Sequence, residues 1–152
     1  MKHQIALYRL SLLYTLLSVT NGRCQTVTAE ISCGELVDKI TILTIKTQRI
    51  SNPDKLKNVH EELKALQGTY AKYIDNCDVL MLQKELQRIN EILWDIEDEI
   101  RIKERHNEFD DEFIALARSV YITNDMRCAL KKQIDILLGS HITEEKSYEE
   151  LV

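Results

Sequence analysis

The stretch LWDIEDEIRIKE, residues 93–104, combines carboxylates, basic side chains and a tryptophan. Asp95 and Asp98 lie three residues apart in it, and Glu35 and Asp38 repeat the same spacing nearer the start of the chain. Residues three apart share one face of a helix, so each pair presents two carboxylates side by side. If both pairs converge in a bundle, they form an oxygen-rich site of the kind that binds Mg²⁺ or Mn²⁺. One hypothesis is therefore a carboxylate-based metal enzyme acting on a nucleotide or a sugar phosphate.

A second interpretation treats these charges as contacts between two helices. If residues 111–138 form a helix that packs antiparallel on the helix containing LWDIEDEIRIKE, with the turn near Phe109, polar side chains of the two helices meet. Arg127 is then expected near Glu91 and Trp94, Asn124 near Asp95, and Arg118 near Asp98 and Arg101. The candidate polar cluster consists of Glu91, Trp94, Asp95, Asp98, Arg101, Arg118, Asn124 and Arg127. We favour this interpretation, because two carboxylates three apart arise often by chance in acidic helices.

Other catalytic chemistry is not indicated. The sequence has no Gly-rich phosphate loop, no G-x-S-x-G elbow and no H-E-x-x-H pair. Its four cysteines, at positions 24, 33, 77 and 128, form no CxxC motif, which argues against a zinc finger and for free thiols. Two disulfides remain open only if the chain is secreted. Outside the metal hypothesis we expect no cofactor and lean towards a non-enzymatic protein.

The net charge of −5 is unevenly spread, since residues 1–24 contribute +3 and the remainder −8. An acidic body argues against nucleic acid as a partner, because phosphate binding requires Lys and Arg. Residues 1–24 begin with a basic group and continue with LSLLYTLLSV, the outline of a secretory signal that is too short to span a membrane. Arg9 interrupts this apolar run. We therefore favour an uncleaved or amphipathic extension on a cytoplasmic protein, with secretion as the alternative if residues 1–22 are cleaved.

The composition predicts an all-α protein. In 152 residues, 44% are hydrophobic and 30% charged, with only four glycines and one proline. Such a chain favours a few long helices over a sandwich or a barrel. We expect a single helical domain that is able to bury its own core.

Four helices follow from caps and hydrophobic spacing. Ser32 and Glu35 form an S-x-x-E capping box, and the first helix should end before Pro53. The second helix is predicted over about 53–75, the third over about 79–106 and the fourth over about 111–138, with Gly139 as its C-terminal cap. Leucines and isoleucines at 3-4 spacing predict that the helices pack as an antiparallel bundle or as coiled-coil hairpins.

Several long stretches together resemble a family of small helical proteins catalogued only as a domain of unknown function. They are AEISCGELVDKITILTIKTQRI, KLKNVHEEL, LWDIEDEIRIKE, FDDEFIALARSVYITNDMR and GSHITEEKSY, and they cover about Thr28 to Tyr148. The resemblance implies an α-helical domain without an established activity. It also suggests an accessory or interaction role, because similar segments accompany glycosyltransferase-like or tetratricopeptide-type regions in larger proteins.

These observations divide the chain into an N-terminal extension (1–27), a helical domain (28–148) and a short tail (149–152). Residues 142–148 are expected to pack back on the domain, with a short two-stranded pairing to residues 27–31 as one arrangement. The leading functional hypothesis is an interaction module that binds a protein partner or a second copy of itself. Its apolar rows would provide affinity, and the polar cluster would fix the alignment of the helices.

Overall fold

The computed structural model describes residues 27–71 and 76–147, and this part of the chain forms four α-helices. The helices are α1 (Cys33–Arg49), α2 (Pro53–Tyr70), α3 (Cys77–His106) and α4 (Asp111–Leu138). All four belong to one compact unit that begins at Ile31. No described residue adopts a strand conformation, so the predicted all-α class is confirmed.

Each helix begins where a side chain can accept a hydrogen bond from its first turn. Ser32 accepts from the amide of Glu35 at 3.1 Å, Asn52 from Lys55 at 3.0 Å, and Asp110 from Phe113 at 2.9 Å. These caps satisfy amides that have no partner within the helix. α4 ends at Gly139, which adopts the left-handed conformation with φ 63°. The predicted starts of the first, second and fourth helices are therefore confirmed.

α3 and α4 form an antiparallel hairpin, and α1 packs against both of them. The four residues 107–110 connect the hairpin helices, so α3 and α4 must return alongside each other. α2 packs on α1. α1 is thus the central helix at the base of the hairpin, the end where α3 begins and α4 ends.

The hydrophobic core lies at this base. It contains seven buried side chains from all four helices, with Leu63, Leu66, Leu82, Leu130 and Leu138 packed around them: Leu36, Val37, Ile40, Tyr70, Val79, Leu86 and Ile134. Tyr70 also donates a hydrogen bond to Gln83 of α3 at 2.9 Å. Burial of these side chains against α1 is what holds the helices together.

The outer half of the hairpin has no such core. No residue from Glu91 to Ile122 is buried, although this segment forms most of α3, the turn and the first part of α4. The turn is closed by Lys103, whose ammonium lies 3.1 Å from Asp110 and 2.6 Å from Glu112. These two carboxylates hold the pKa of Lys103 above its usual value. Ion pairs of Lys103 therefore bridge the two sides of the turn, where Phe109 and Phe113 also make an edge-to-face contact.

Two expectations are corrected or limited by the structure. The two-stranded pairing is wrong for the described residues, because neither 27–31 nor 142–147 forms a strand. The second helix ends at Tyr70 within the described chain, and its predicted continuation to residue 75 falls on 72–75, which lie outside the described residues. The signal-like segment and Cys24 also lie outside them.

Two further properties concern the described residues alone. Cys33, Cys77 and Cys128 are free thiols, as the absence of a CxxC motif indicated. None of the helices within 27–71 and 76–147 has both the length and the hydropathy needed to cross a bilayer.

Candidate functional site

A row of charged contacts joins α1 to α4 along their antiparallel interface. The Lys131 ammonium lies 2.7 Å from a carboxylate oxygen of Glu35, and one turn further along both helices Arg127 forms an ion pair with Asp38. The order of the partners is reversed between α1 and α4, because the two helices are antiparallel. These contacts hold the two helices at one offset along their axes.

Asp38 is the centre of this interface and is fully buried. It accepts hydrogen bonds from Arg127 Nε at 2.8 Å and from Asn90 Nδ2 at 2.9 Å, and a further short one from Arg127 Nη2. Thr41 accepts from Asn90 at 2.9 Å and donates to the Asp38 carbonyl. Asn124 accepts from Arg127 Nη1 at 3.3 Å. We call Asp38, Thr41, Asn90, Asn124 and Arg127 the polar layer.

Every group in the polar layer has a partner. Among the described residues, no buried side-chain nitrogen or oxygen lacks a hydrogen bond. The hydrogen bond to Asp38 raises the pKa of Arg127 and outweighs the opposing effect of burial. An arrangement of the helices that left one of these buried charges unpaired would carry a large free-energy penalty.

α4 also completes the start of α1. The amide of Gly34 donates to Asp135 Oδ1 at 2.6 Å, and the amide of Cys33 donates to Ser140 Oγ at 3.4 Å. Asp135 is buried, and its hydrogen bond with the Gly34 amide places its carboxylate at the positive end of the α1 dipole. Gly34 permits this approach, because a Cβ at that position would lie 2.9 Å from the Lys131 carbonyl carbon.

A groove runs beside the polar layer between α1, α3 and α4. Its volume is about 410 Å³, and it is lined by Ile42, Asn90, Leu93, Trp94, Glu97, Asp98, Arg101 and Arg127. Arg101 is paired with Glu97 at 2.9 Å, and Arg127 is paired with Asp38. The positive charges at the groove are therefore balanced by carboxylates.

The sequence-predicted cluster is brought together only in part. Arg127, Trp94, Asp98 and Arg101 line the same groove, as the hairpin geometry indicated for Arg127 and Trp94. The carboxylate that binds Arg127, however, is Asp38 of α1. Glu91 instead accepts a hydrogen bond from Gln87 at 2.9 Å within α3. The prediction considered only α3 and α4, and it therefore sought the partner of Arg127 on α3. The buried carboxylate instead comes from α1.

The remaining predicted contacts are corrected in the same way. Asp95 forms an exposed ion pair with Arg49 of α1 at 3.0 Å, and Asn124 donates to the Val120 carbonyl in its own helix. Arg118 is exposed and forms no ion pair within the described part of the chain. The layer predicted between Arg118 and Asp98 is therefore absent from the described hairpin.

Sequence reasoning missed Thr41, Asn90, Lys131 and Asp135. A signal for them existed, because Glu35, Asp38 and Thr41 are spaced by three, while Arg127, Lys131 and Asp135 are spaced by four. Both spacings keep each set on one helix face, and the acidic Glu35 and Asp38 are opposite in charge to Lys131 and Arg127. Asn90 interrupts the leucine and isoleucine row of the third helix, which marks it as a polar core residue.

The four carboxylates of the metal hypothesis do not form one cluster. Glu35 binds Lys131, Asp38 binds Arg127, and Asp95 binds Arg49. Residues 27–71 and 76–147 contain no group of three or more His, Cys, Asp or Glu side chains arranged to hold a metal ion. This geometry gives the Mg²⁺ or Mn²⁺ hypothesis no support, and it stays a prediction from the sequence.

The segment after Gly139 packs back on α4, as expected for residues 142–147. Lys131, which is buried, binds Glu144 at 2.5 Å in addition to Glu35. Burial lowers the pKa of Lys131, but the hydrogen bonds to Glu144 and Glu35 outweigh this effect and leave it raised. The hydrogen bond from Lys131 holds the pKa of Glu144 below its usual value of 4.5.

This pairing predicts a pH-dependent attachment of the tail. Because the folded pKa of Glu144 is depressed, its contribution is present above pH 4.5 and is lost as the pH falls through the folded value. Carboxyl-carbon chemical shifts measured by NMR should show Glu144 titrating below 4.5 in the wild type and returning towards 4.5 in Lys131→Met. Lys132→Met, which removes a neighbouring exposed lysine, should leave the pKa of Glu144 depressed. Equal titration in all three proteins would contradict the pairing.

The comparisons with known proteins identify a family and add no activity. No curated protein and no solved structure was found to match the chain. One family model matches residues 27–152, which include all four helices and the segment that carries Glu144. The match covers far more than half of the sequence. The chain therefore belongs to the family of unknown function DUF6165.

Proposed function

We propose that this protein is a helical protein-binding module whose binding surface is the exposed side of the α3–α4 hairpin, including its outer half. The observation that carries the proposal is that no residue from Glu91 to Ile122 is buried. α1 reaches this segment only at its near end, where Arg49 pairs with Asp95 and Ile42 lines the groove. Where two helices have no third element beside them they bury little of their apolar surface, and helix stability in water comes mainly from such packing. A partner that covers this half of the hairpin would supply the missing packing.

The outer half exposes apolar side chains that soluble proteins usually cover. Six large ones are between 37% and 57% exposed: Ile92, Ile102, Phe109, Ile114, Tyr121 and Ile122. Phe109 and Phe113 stack edge to face at the turn, with ring centroids 5.2 Å apart. Extended apolar surfaces of this kind are typical of protein interfaces, whereas singly scattered apolar residues are normal.

α4 is the helix with the clearest second apolar surface. One side of it packs on α1 and α3, yet Ile114, Tyr121, Ile122 and Ile136 remain exposed. At 3.6 residues per turn these four lie within about 100° of arc, so they form one row along the helix. We call this row, with the exposed residues Asp111, Arg118, Asp125, Ala129 and Lys132 in the same arc, the outer stripe.

In this proposal the polar layer has a positioning role. It holds α1 in one alignment against the base of the hairpin, which leaves the outer stripe free on the opposite side of α4. A buried ion pair can add little net stability, and in some proteins such a pair specifies one arrangement of the helices. The aromatic and aliphatic residues of the outer half would then provide the affinity, as they do in most interfaces.

A site-specific crosslink tests this proposal. Tyr121 is replaced by the photoreactive p-benzoylphenylalanine in the native source, and the same residue is placed at the exposed Lys57 of α2 as a matched position. Illumination should give adducts of discrete mass from position 121 and none from position 57. Because the stripe carries the binding, Ile114→Asp with Ile122→Asp should remove the adducts.

The outcome is decisive in both directions. Both aspartate substitutions fall on exposed positions, so circular dichroism should show unchanged helix content. If position 121 gives no adduct, or if its adducts persist after the two aspartates are introduced, the outer stripe is not the binding surface.

A further inference from the structure

We infer that the outer stripe binds a second copy of this chain, with the two α4 helices antiparallel and a twofold axis passing between Tyr121 and Ile122. This inference rests on the proposed function and names the partner. It comes from the order of charges along the stripe, and the apolar residues between those charges agree with it.

Four charged residues of the stripe are spaced by seven and alternate in sign. They are Asp111, Arg118, Asp125 and Lys132, and all four are exposed. Seven residues make nearly two turns, so the four side chains lie in one line along α4. A row that alternates in this way is complementary to its own reverse.

The antiparallel arrangement pairs every charge with its opposite. With the axis between Tyr121 and Ile122, Asp111 lies opposite Lys132 of the second copy, and Arg118 lies opposite Asp125. Each pair occurs twice because of the symmetry, which gives four pairs in all. A parallel arrangement in register would place each charge against its own like, and like charges at an interface oppose binding.

The apolar residues of the stripe fit the same register. Tyr121 lies opposite Ile122 of the second copy at the axis, where both side chains would be covered. Ile114 lies opposite Ala129, so a large side chain meets a small one on each side of the axis. Alternation of large and small residues lets two helices approach and interdigitate.

Two of the charged side chains have no competing partner among the described residues. The exposed side chains of Arg118 and Asp125 form no ion pair or hydrogen bond within residues 27–71 and 76–147. Lys132 has only an exposed ion pair with Glu145 at 3.4 Å, and exposed pairs contribute little. Moving these side chains from water into contact with a second copy therefore breaks no buried contact.

The register also places two exposed apolar features together. Ile136, which is 72% exposed, lies beyond the paired segment and faces the turn of the second copy. That turn carries Phe109, which is 57% exposed. Ile136 lines an open hollow of about 380 Å³ with Met81, Leu82 and Leu137, and this hollow is mainly apolar. The turn of one copy thus has an apolar surface to cover on the other.

Charge reversal tests the register directly. Sedimentation equilibrium of the full chain over a range of micromolar concentrations should show a monomer–dimer equilibrium. Arg118→Asp and Asp125→Arg, each alone, place like charges together twice and should weaken dimerisation by about tenfold or more. The double variant restores opposite charges and should return the dissociation constant to near the wild-type value. Lys57→Asp, a reversal on α2, should have no such effect.

Each result either supports or overturns the inference. Loss in the single variants and recovery in the double variant supports it. A chain that stays monomeric at every concentration overturns it, and so does a dimer that is unaffected by the reversals. The crosslink from position 121 separates this failure from failure of the proposed function. Adducts at twice the monomer mass indicate self-association, adducts of other masses indicate a different partner, and no adduct removes the binding surface itself.

Discussion

Asp38→Ala should lower the free energy of unfolding by about 3 kcal/mol, because it leaves the Arg127 guanidinium in the polar layer without its carboxylate. Removing one partner of a buried pair costs about 3–5 kcal/mol. Arg127 is 25% exposed, so water can reach part of the guanidinium and the lower end of this range is expected. Denaturation by urea, followed by circular dichroism, measures the change.

The chain contains a matched control for this substitution. Asp95 also pairs with an arginine across a helix interface, but its ion pair with Arg49 is 56% and 43% exposed on the two side chains. Exposed pairs contribute about 0–1 kcal/mol, so Asp95→Ala should change stability little. If Asp38→Ala costs no more than Asp95→Ala, the polar layer does not fix the helices.

Replacing both members of the buried pair gives a further comparison within the same experiment. Asp38→Leu combined with Arg127→Met leaves no uncompensated charge, and Asn90 keeps its hydrogen bond to Thr41. Apolar replacements of buried pairs are often neutral or stabilising. The double variant should therefore be more stable than Asp38→Ala.

Gly34→Ala should lower the free energy of unfolding by about 3 kcal/mol through a different cause. The added Cβ would lie 2.9 Å from the carbonyl carbon and 3.0 Å from the Cα of Lys131, and its shortest contact is with the Lys131 carbonyl oxygen. These are backbone atoms of α4, which cannot rotate away as a side chain can. Overpacking typically costs about 1–3 kcal/mol, and a backbone contact belongs at the upper end.

Gly68→Ala is the control for this prediction. Gly68 lies within α2, and a Cβ there would meet no atom within 4 Å. Alanine is favoured over glycine within a helix by about 0.5–1 kcal/mol, so this variant should be more stable than the wild type. The same urea denaturation then gives opposite signs for the same chemical change. Equal effects at the two positions would show that α1 and α4 are not in close contact.

The sequence predicted the helices well because their ends depend on neighbours along the chain. Ser32, Asp110 and Gly139 each act within three or four residues, so their roles can be seen without knowledge of the fold. The antiparallel hairpin followed from two long helices and a short connection. These features involve no contact between distant parts of the sequence.

The polar layer could be predicted only in part, because it depends on where α1 lies. Arg127 was expected in a polar contact between helices, and it lies in one. Its partner was sought on α3, since that helix is next to α4 in the sequence. Asp38 lies 89 positions away along the chain and belongs to a helix whose place between α3 and α4 no local pattern specifies. Gly34 was missed for the same reason, because its need for space comes from Lys131.

Ion pairs link the two sides of the hairpin turn, whereas apolar side chains hold the base together. The two ends of the hairpin should therefore respond differently to salt. Screening by salt weakens attractions between accessible charges, whereas covered leucines and isoleucines at the base are nearly indifferent to it. The contacts that Lys103 makes with Glu108, Asp110 and Glu112 at the turn strengthen as salt is withdrawn. Separation of α3 from α4 should therefore begin at the turn and proceed towards the base. Low ionic strength should delay its onset.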